Sequence, residues 1–378
     1  MKDARAILDA LEKAQARFTR YSLLQKELRG LNPDRPLHLL SIGKAAWQMA
    51  EVARGCIPEG AIKDVIVLSK YGFYPVGRPN PDILEAGHPI PDQNSLKHSK
   101  YIVDWLKSIS PQEDLIVLLS GGTSALFELP KPGNTLEDII ALNSLLLKSG
   151  LDISQINAKR KETSQVKGGN AAKCFYGRRL YAYLLSDVSG NDPSIIGSGP
   201  FLTPETERKH IVIGDNAAYL KLLAHYLKKA FPDYPLWKSR SMVQADAGDF
   251  GVALGRYMKN NPPGIYLFGA ECCLKVRGKG LGGRLSHLAL SFAGEISREE
   301  DITLCAFATD GNDNLAECAG AIVDHETWDK LAQAGNPIKN LRDFDSYPIL
   351  KEGNYIIPGR YTGNNVNDVV IAIKGFRA

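Results

Sequence analysis

Five apolar residues in a row, Leu115-Ile116-Val117-Leu118-Leu119, run straight into Ser120-Gly121-Gly122-Thr123-Ser124. An apolar run of that length bounded by turn residues predicts a strand buried on both faces, the kind found in parallel sheets. A strand that empties into glycines and hydroxyls is how an open α/β sheet builds an anion site. Glycines let the backbone approach a phosphate without a Cβ in the way. The N–H groups of the turn, and of a helix that follows it, point at the negative charge.

The same alternation recurs along the chain. Segments 37–42, 65–68, 180–185 and 302–308 read as strands, and 136–148, 246–259 and 284–296 as helices. Residues 4–29 read as one amphipathic helix, with Ile7, Leu8, Leu11, Ala14 and Phe18 at helical spacing. Asn94 or Ser95 is expected to cap a helix running to 106, and 265–269 and 272–276 are strand-like. The pattern predicts a parallel or mostly parallel sheet with helices on both faces. A chain of 378 residues is too long for one ordinary core, so two domains are expected, with the break at 235/236.

Composition narrows the partners. The net charge of +4 suits a small anionic ligand, and no basic run interleaved with aromatics argues for nucleic acid. No apolar stretch reaches the ~20 residues of a membrane span. The six cysteines form no Cys-x-x-Cys pair and the seven histidines no His-x-x-x-His pair. Reduced packing thiols in a cytoplasmic protein are the expectation, with no histidine-built metal site.

Several short motifs carry chemistry, each with a plainer reading beside it. Lys44 in Gly43-Lys44-Ala45-Ala46 sits at a strand–helix junction, where a cation is unfavourable unless an anion offsets it; it also reads as a lysine reaching solvent. Lys159-Arg160-Lys161 and Lys167-Gly168-Gly169 form a cationic cluster or a solvated helix face, with the two glycines offering N–H groups beside Lys167. Ser186-Asp187-Val188 ends a strand, where a carboxylate either lines a ligand crevice or makes an Asx turn. The run 277–284 packs four glycines and three cations into eight residues, as an oxyanion loop or a hairpin. Asp310 and Asp313 of Thr309-Asp310-Gly311-Asn312-Asp313 suit Mg²⁺, and the 361–368 turn supplies amides that either position a ligand or have no function.

Taken in order, these motifs resemble the glycerate 2-kinase family, whose C-terminal domain is called MOFRL. The resemblance spans nearly the full length. It rests on Gly43-Lys44-Ala45-Ala46, Glu85-Ala86-Gly87-His88-Pro89, the loop from Ser120 to Leu126 with Thr123 in place of a glycine, Lys167-Gly168-Gly169, Ser186-Asp187-Val188 and Gly197-Ser198-Gly199-Pro200. It implies a two-domain α/β protein: a Rossmann-like, mostly parallel sheet domain over 1–235, a smaller α/β MOFRL-type domain over 236–378, and a cleft between them. It implies ATP-dependent, Mg²⁺-assisted phosphorylation of the 2-hydroxyl of D-glycerate, with a homodimer left open.

By motif the catalytic residues are Lys44, Arg284, Asp310 and Asn365. Ser120, Gly121, Gly122, Thr123, Ser124, Lys167, Gly168 and Gly169 bind phosphate, and Asp187 and Asp310 hold the metal. Leu285-Ser286-His287 stands where the family usually has Asn-Gln-Glu. Rival readings are a kinase for another small hydroxy acid or polyol, with a pocket reshaped at 285–287, and a nucleotide-binding homologue with weak catalysis. A dehydrogenase is disfavoured, because the run at 278–283 has the glycine density of a dinucleotide fingerprint without its context.

Overall fold

Central strands without a polar face organise the first sheet. A computed structural model describes residues 2–31, 33–75, 83–148, 153–203, 208–297 and 301–376. The first six strands are β1 (Leu37–Ile42), β2 (Ile62–Lys70), β3 (Ile83–Ala86), β4 (Asp114–Leu119), β5 (Leu180–Leu185) and β6 (Arg208–Gly214). They pair in the order β3-β2-β1-β4-β5-β6, each pair parallel. Every residue of β1 and β4 is buried, as expected of central strands covered on both sides. Leu40, Leu68, Leu115, Val117 and Leu184 centre the core around them, where Phe127 stacks on Phe201.

The second sheet contains β7 (Leu236–Lys238), β8 (Gly264–Ala270), β9 (Ile302–Ala308), β10 (Cys318–Asp324), β11 (Ile356–Pro358) and β12 (Asp368–Lys374). Its order is β11-β10-β9-β12-β8-β7. The last strand of the chain, β12, enters between β8 and β9, antiparallel to both. Helices Ala247–Asn260 and Arg284–Ile296 pack against each other and help fill a core that includes Leu288, Phe292, Leu304 and Val370.

Packing divides the chain into two units. One is Thr19–Asp215 with Gly363–Val366; the other is Met1–Phe18 with Asn216–Thr362 and Asn367–Ala378. The break after Asp215 differs from the expected 235/236, because helix Asn216–Ala230 packs against β7, β8 and helix Lys2–Phe18 and so goes with the second sheet.

Three local expectations are corrected. The helix expected over 4–29 is two helices, Lys2–Phe18 and Ser22–Arg29, separated at Tyr21, whose backbone is left-handed (φ 47°, ψ 59°). Asp92, not Asn94 or Ser95, is the N-cap of helix Gln93–Ser108, with Ser95 completing a reciprocal capping box. Segment 272–276 forms no strand; Cys273 makes an isolated bridge to Asp246. All six cysteines are free thiols. Among the described residues no helix is long and apolar enough to cross a membrane.

Candidate active site

In a doubly wound sheet, ligands bind beyond the carboxyl ends of the strands, where the strand order reverses. In the first unit that point lies between β1 and β4. The loops that leave these strands are stitched together. Lys44 N–H donates to the Gly121 carbonyl at 2.9 Å, and Ala45 N–H to Ser120 Oγ at 3.1 Å. Thr123 Oγ1 donates to the carbonyl of Ser120 at 2.7 Å and lies 3.1 Å from that of Ile42.

Ser120 and Thr123 are therefore fully buried, and their hydroxyls close the loop instead of facing a phosphate. Gly122 and Ser124 are half-buried, with Ser124 Oγ 2.7 Å from Ser198 Oγ. The Lys44 side chain runs past Gly122. A Cβ there would lie 3.2 Å from Lys44 Cγ and 3.3 Å from His88 Cδ2. His88 thus shares this corner with Lys44. Its turn stands out in the sequence, but nothing in the spacing marks the imidazole as its working part.

Asp187 follows β5, and Asn365 reaches the same unit from the 363–366 segment. Asn365 Nδ2 donates to Asp187 Oδ2 at 3.2 Å. Both lie against Gly121, where a Cβ would fall 1.8 Å from Asp187 Oδ2 and 1.9 Å from Asn365 Nδ2. No other residue fits that position without displacing the pair. Gly121, Asp187 and Asn365 are thus brought together.

Lys167, Gly168 and Gly169 lie in the same unit, against the 198–199 turn that meets Ser124, and their polar groups are turned to internal partners. Lys167 is 2% exposed and ion-paired with Glu128, which is equally hidden. Burial lowers the Lys167 pKa, and the charge of Glu128 opposes that shift. An ammonium so placed presents no charge to an outside anion. The N–H groups of Gly168 and Gly169 are also taken, by the carbonyls of Ser198 at 2.9 Å and Gly199 at 2.7 Å.

The second unit assembles a different group, at the start of helix Arg284–Ile296. Asp313 caps that helix: its two carboxylate oxygens accept from the N–H groups of Leu285 at 2.9 Å and Ser286 at 2.8 Å. This places negative charge at the positive helix end. Arg284 faces Asp368, the first residue of β12, and lies 3.7 Å from Asp313. Burial works against the guanidinium charge, but Asp368, Asp313 and Asp310 outweigh it and raise the Arg284 pKa. Asp310 is buried beside this cluster and accepts from Asn312 N–H at 3.0 Å. Sequence reasoning missed Asp368, whose only signal was its place at the end of an amide-rich turn.

Leu285 and Ser286 are fully buried, and His287 is 7% exposed, stacked on Phe344 with ring centroids 5.3 Å apart. Ser286 Oγ accepts from Gly283 N–H at 2.9 Å. The departure at 285–287 thus falls on side chains that cap and pack the helix.

Residues 3–225 match a family described as a domain of unknown function, DUF4147, and residues 264–368 match the MOFRL family. The chain is 33% identical to D-glycerate 2-kinase of Thermotoga maritima, over 93% of each chain. It is 31% identical to glycerate 2-kinase of Pyrococcus horikoshii, over 89% of this chain and 87% of that one. The crystal structure of glycerate kinase from Thermotoga maritima superposes with a TM-score of 0.83 at 31% identity, covering 98% of this chain and 99% of the other.

Proposed function

Because this chain belongs to the glycerate 2-kinase family, we propose that it transfers the γ-phosphoryl group of ATP to the 2-hydroxyl of D-glycerate. The observation that carries this reading is the grouping at the reversal of strand order. A lysine side chain runs past Gly122, and an aspartate–asparagine pair packs on Gly121. Phosphoryl transfer is mostly positioning and charge neutralisation, and such parts suit it.

In this reading Lys44 and Arg284 stabilise charge on the transferring group, each at about 3–4 kcal/mol if well placed. Gly121, Gly122 and Ser124 border the phosphates. Asn365 orients the acceptor. The 2-hydroxyl oxygen attacks the γ-phosphorus, the bond to the β-phosphate oxygen of the departing ADP breaks, and the hydroxyl proton passes to a carboxylate. Asp187 and Asp310 divide that proton acceptance and the holding of Mg²⁺.

Their hard oxygen donors fit Mg²⁺, which takes one or two carboxylates together with nucleotide phosphates and water. The ion supplies neutralisation of charge on the phosphate oxygens. Reshaping of the acceptor pocket at 285–287 is not favoured, since Leu285 and Ser286 are sealed in the interior.

The test is to incubate the purified protein with ATP, Mg²⁺ and a panel of hydroxy acids and polyols, and read the products by ³¹P NMR. The expected product is glycerate phosphorylated at C2. ATP turnover that yields an ester at C3, or on another acceptor alone, would overturn the reading.

A further inference from the structure

Segment Gly363–Val366 packs with the first unit, whereas Thr362 and Asn367 on either side pack with the second. All four of its residues are buried, and one of them is Asn365. A four-residue excursion has little surface of its own to fix it, so its anchors decide where the Asn365 amide points. One anchor is the bond from Asn365 Nδ2 to Asp187. Another lies two residues earlier, where the Tyr21 hydroxyl donates to the Gly363 carbonyl. A Cβ on Gly363, at φ +70°, would approach Gln48 Cγ to 2.9 Å, so the segment is seated close against that side chain.

Tyr21 is itself held in an unusual state. It is 2% exposed, and its backbone takes the left-handed conformation that is strained for any residue with a Cβ. Gln25 N–H donates to its carbonyl at 2.9 Å, fixing it to the start of helix Ser22–Arg29. Strained residues persist where their surroundings over-determine them, and they cluster where geometry matters for function. Here the strain aims a phenol at the backbone that delivers Asn365.

We propose that Tyr21 is a positioning residue for phosphoryl transfer: its hydroxyl pins Gly363 and thereby sets the Asn365 amide against Asp187. The proposal rests on the reading of Asn365 as the group that orients the acceptor.

Tyr21→Phe in the full-length protein removes the hydroxyl alone. The expected result is a fall in kcat of about 10-fold, since small misplacements of reacting groups carry penalties of that order or more. KM for ATP should move less than about 2-fold, as expected when ground-state nucleotide binding is untouched. Hydrogen exchange should quicken in 363–366 and not in β4. In an Asn365→Ala background, Tyr21→Phe should change kcat by less than about 2-fold, the signature of two residues acting as one.

Equal losses in both backgrounds, or unaltered exchange in 363–366, would overturn the proposal while leaving the role of Asn365 standing. Near-normal turnover in Asn365→Ala alone would remove that role, and the positioning claim with it.

Discussion

Arg284 and Asp368 form a two-point ion pair: Nε donates to Oδ2 at 2.6 Å while Nη2 donates to Oδ1 at 2.5 Å. Asp368 is 2% exposed at its side chain and Arg284 28% at its own. Burial pushes the Asp368 carboxyl pKa up, and the arginine pulls it back. Arg284→Ala therefore does two things. It removes a cation from the proposed transfer, and it strands a buried carboxylate. Loss of a partner from a fully buried pair costs about 3–5 kcal/mol, and the partial exposure here argues for about 2–3 kcal/mol. Urea melts should show that loss, with most of it regained in Arg284→Ala/Asp368→Asn. Turnover should stay about 10²–10³-fold down in both variants. Recovery of activity along with stability in the double variant would reduce Arg284 to scaffolding.

Lys167 gives the opposite forecast. Its charge meets Glu128 in the interior. Lys167→Met should lower the unfolding free energy by about 3–5 kcal/mol through an uncompensated buried carboxylate. KM for ATP, measured well below the melting temperature, should stay within about 2-fold of wild type. Glu128→Gln added to Lys167→Met should restore much of the stability. A tenfold rise in KM for ATP without a change in melting temperature would return Lys167 to the phosphate site.

Gly121 is tested by a single methyl group. Gly121→Ala would place a Cβ 1.8 Å from Asp187 Oδ2 and 1.9 Å from Asn365 Nδ2. Something must shift, and the Asp187 and Asn365 side chains are what stand in the way. Turnover should fall about 10²-fold, the scale expected when reacting groups move by about 1 Å. Far-UV circular dichroism should be unchanged. Wild-type turnover would show that the contact between Asp187 and Asn365 has no part in the reaction.

The parallel sheet was readable because its central strands carry their signal locally. The apolar runs at 37–42, 115–119 and 180–185 need no tertiary knowledge to be strands, and the glycines that follow mark where they stop. Helix Arg284–Ile296 was readable for the same reason. What escaped depends on contacts distant in sequence. The inward turn of Ser120 and Thr123 follows from the closeness of Gly43 and Ile42, about eighty residues away. Lys167 looks like a phosphate ligand until Glu128 is found beside it. The units divide before helix Asn216–Ala230 because that helix packs on β7, β8 and the distant helix Lys2–Phe18, which its own periodicity does not announce. The break at Tyr21 was invisible because helical periodicity continues on both sides of it.

His287 supplies the pH test. It is buried on Phe344 near the start of helix Arg284–Ile296, and its Nδ1 has no hydrogen-bond partner among the described residues. Burial lowers its pKa below the usual 6.5, with Asp246 and Asp313 pulling the other way. The unfolded chain therefore takes up a proton at this residue before the folded protein does. Stability should be full above pH 6.5 and fall as the pH drops through that value, until the buried ring is protonated too. The slope from this one group cannot exceed about 1.4 kcal/mol per pH unit. Urea midpoints of wild type and His287→Gln, taken between pH 7.5 and 5, should converge toward the acid side or cross, because the variant lacks this loss. Parallel curves over the whole range would mean that the imidazole titrates as it does in water, and that its burial carries no proton linkage.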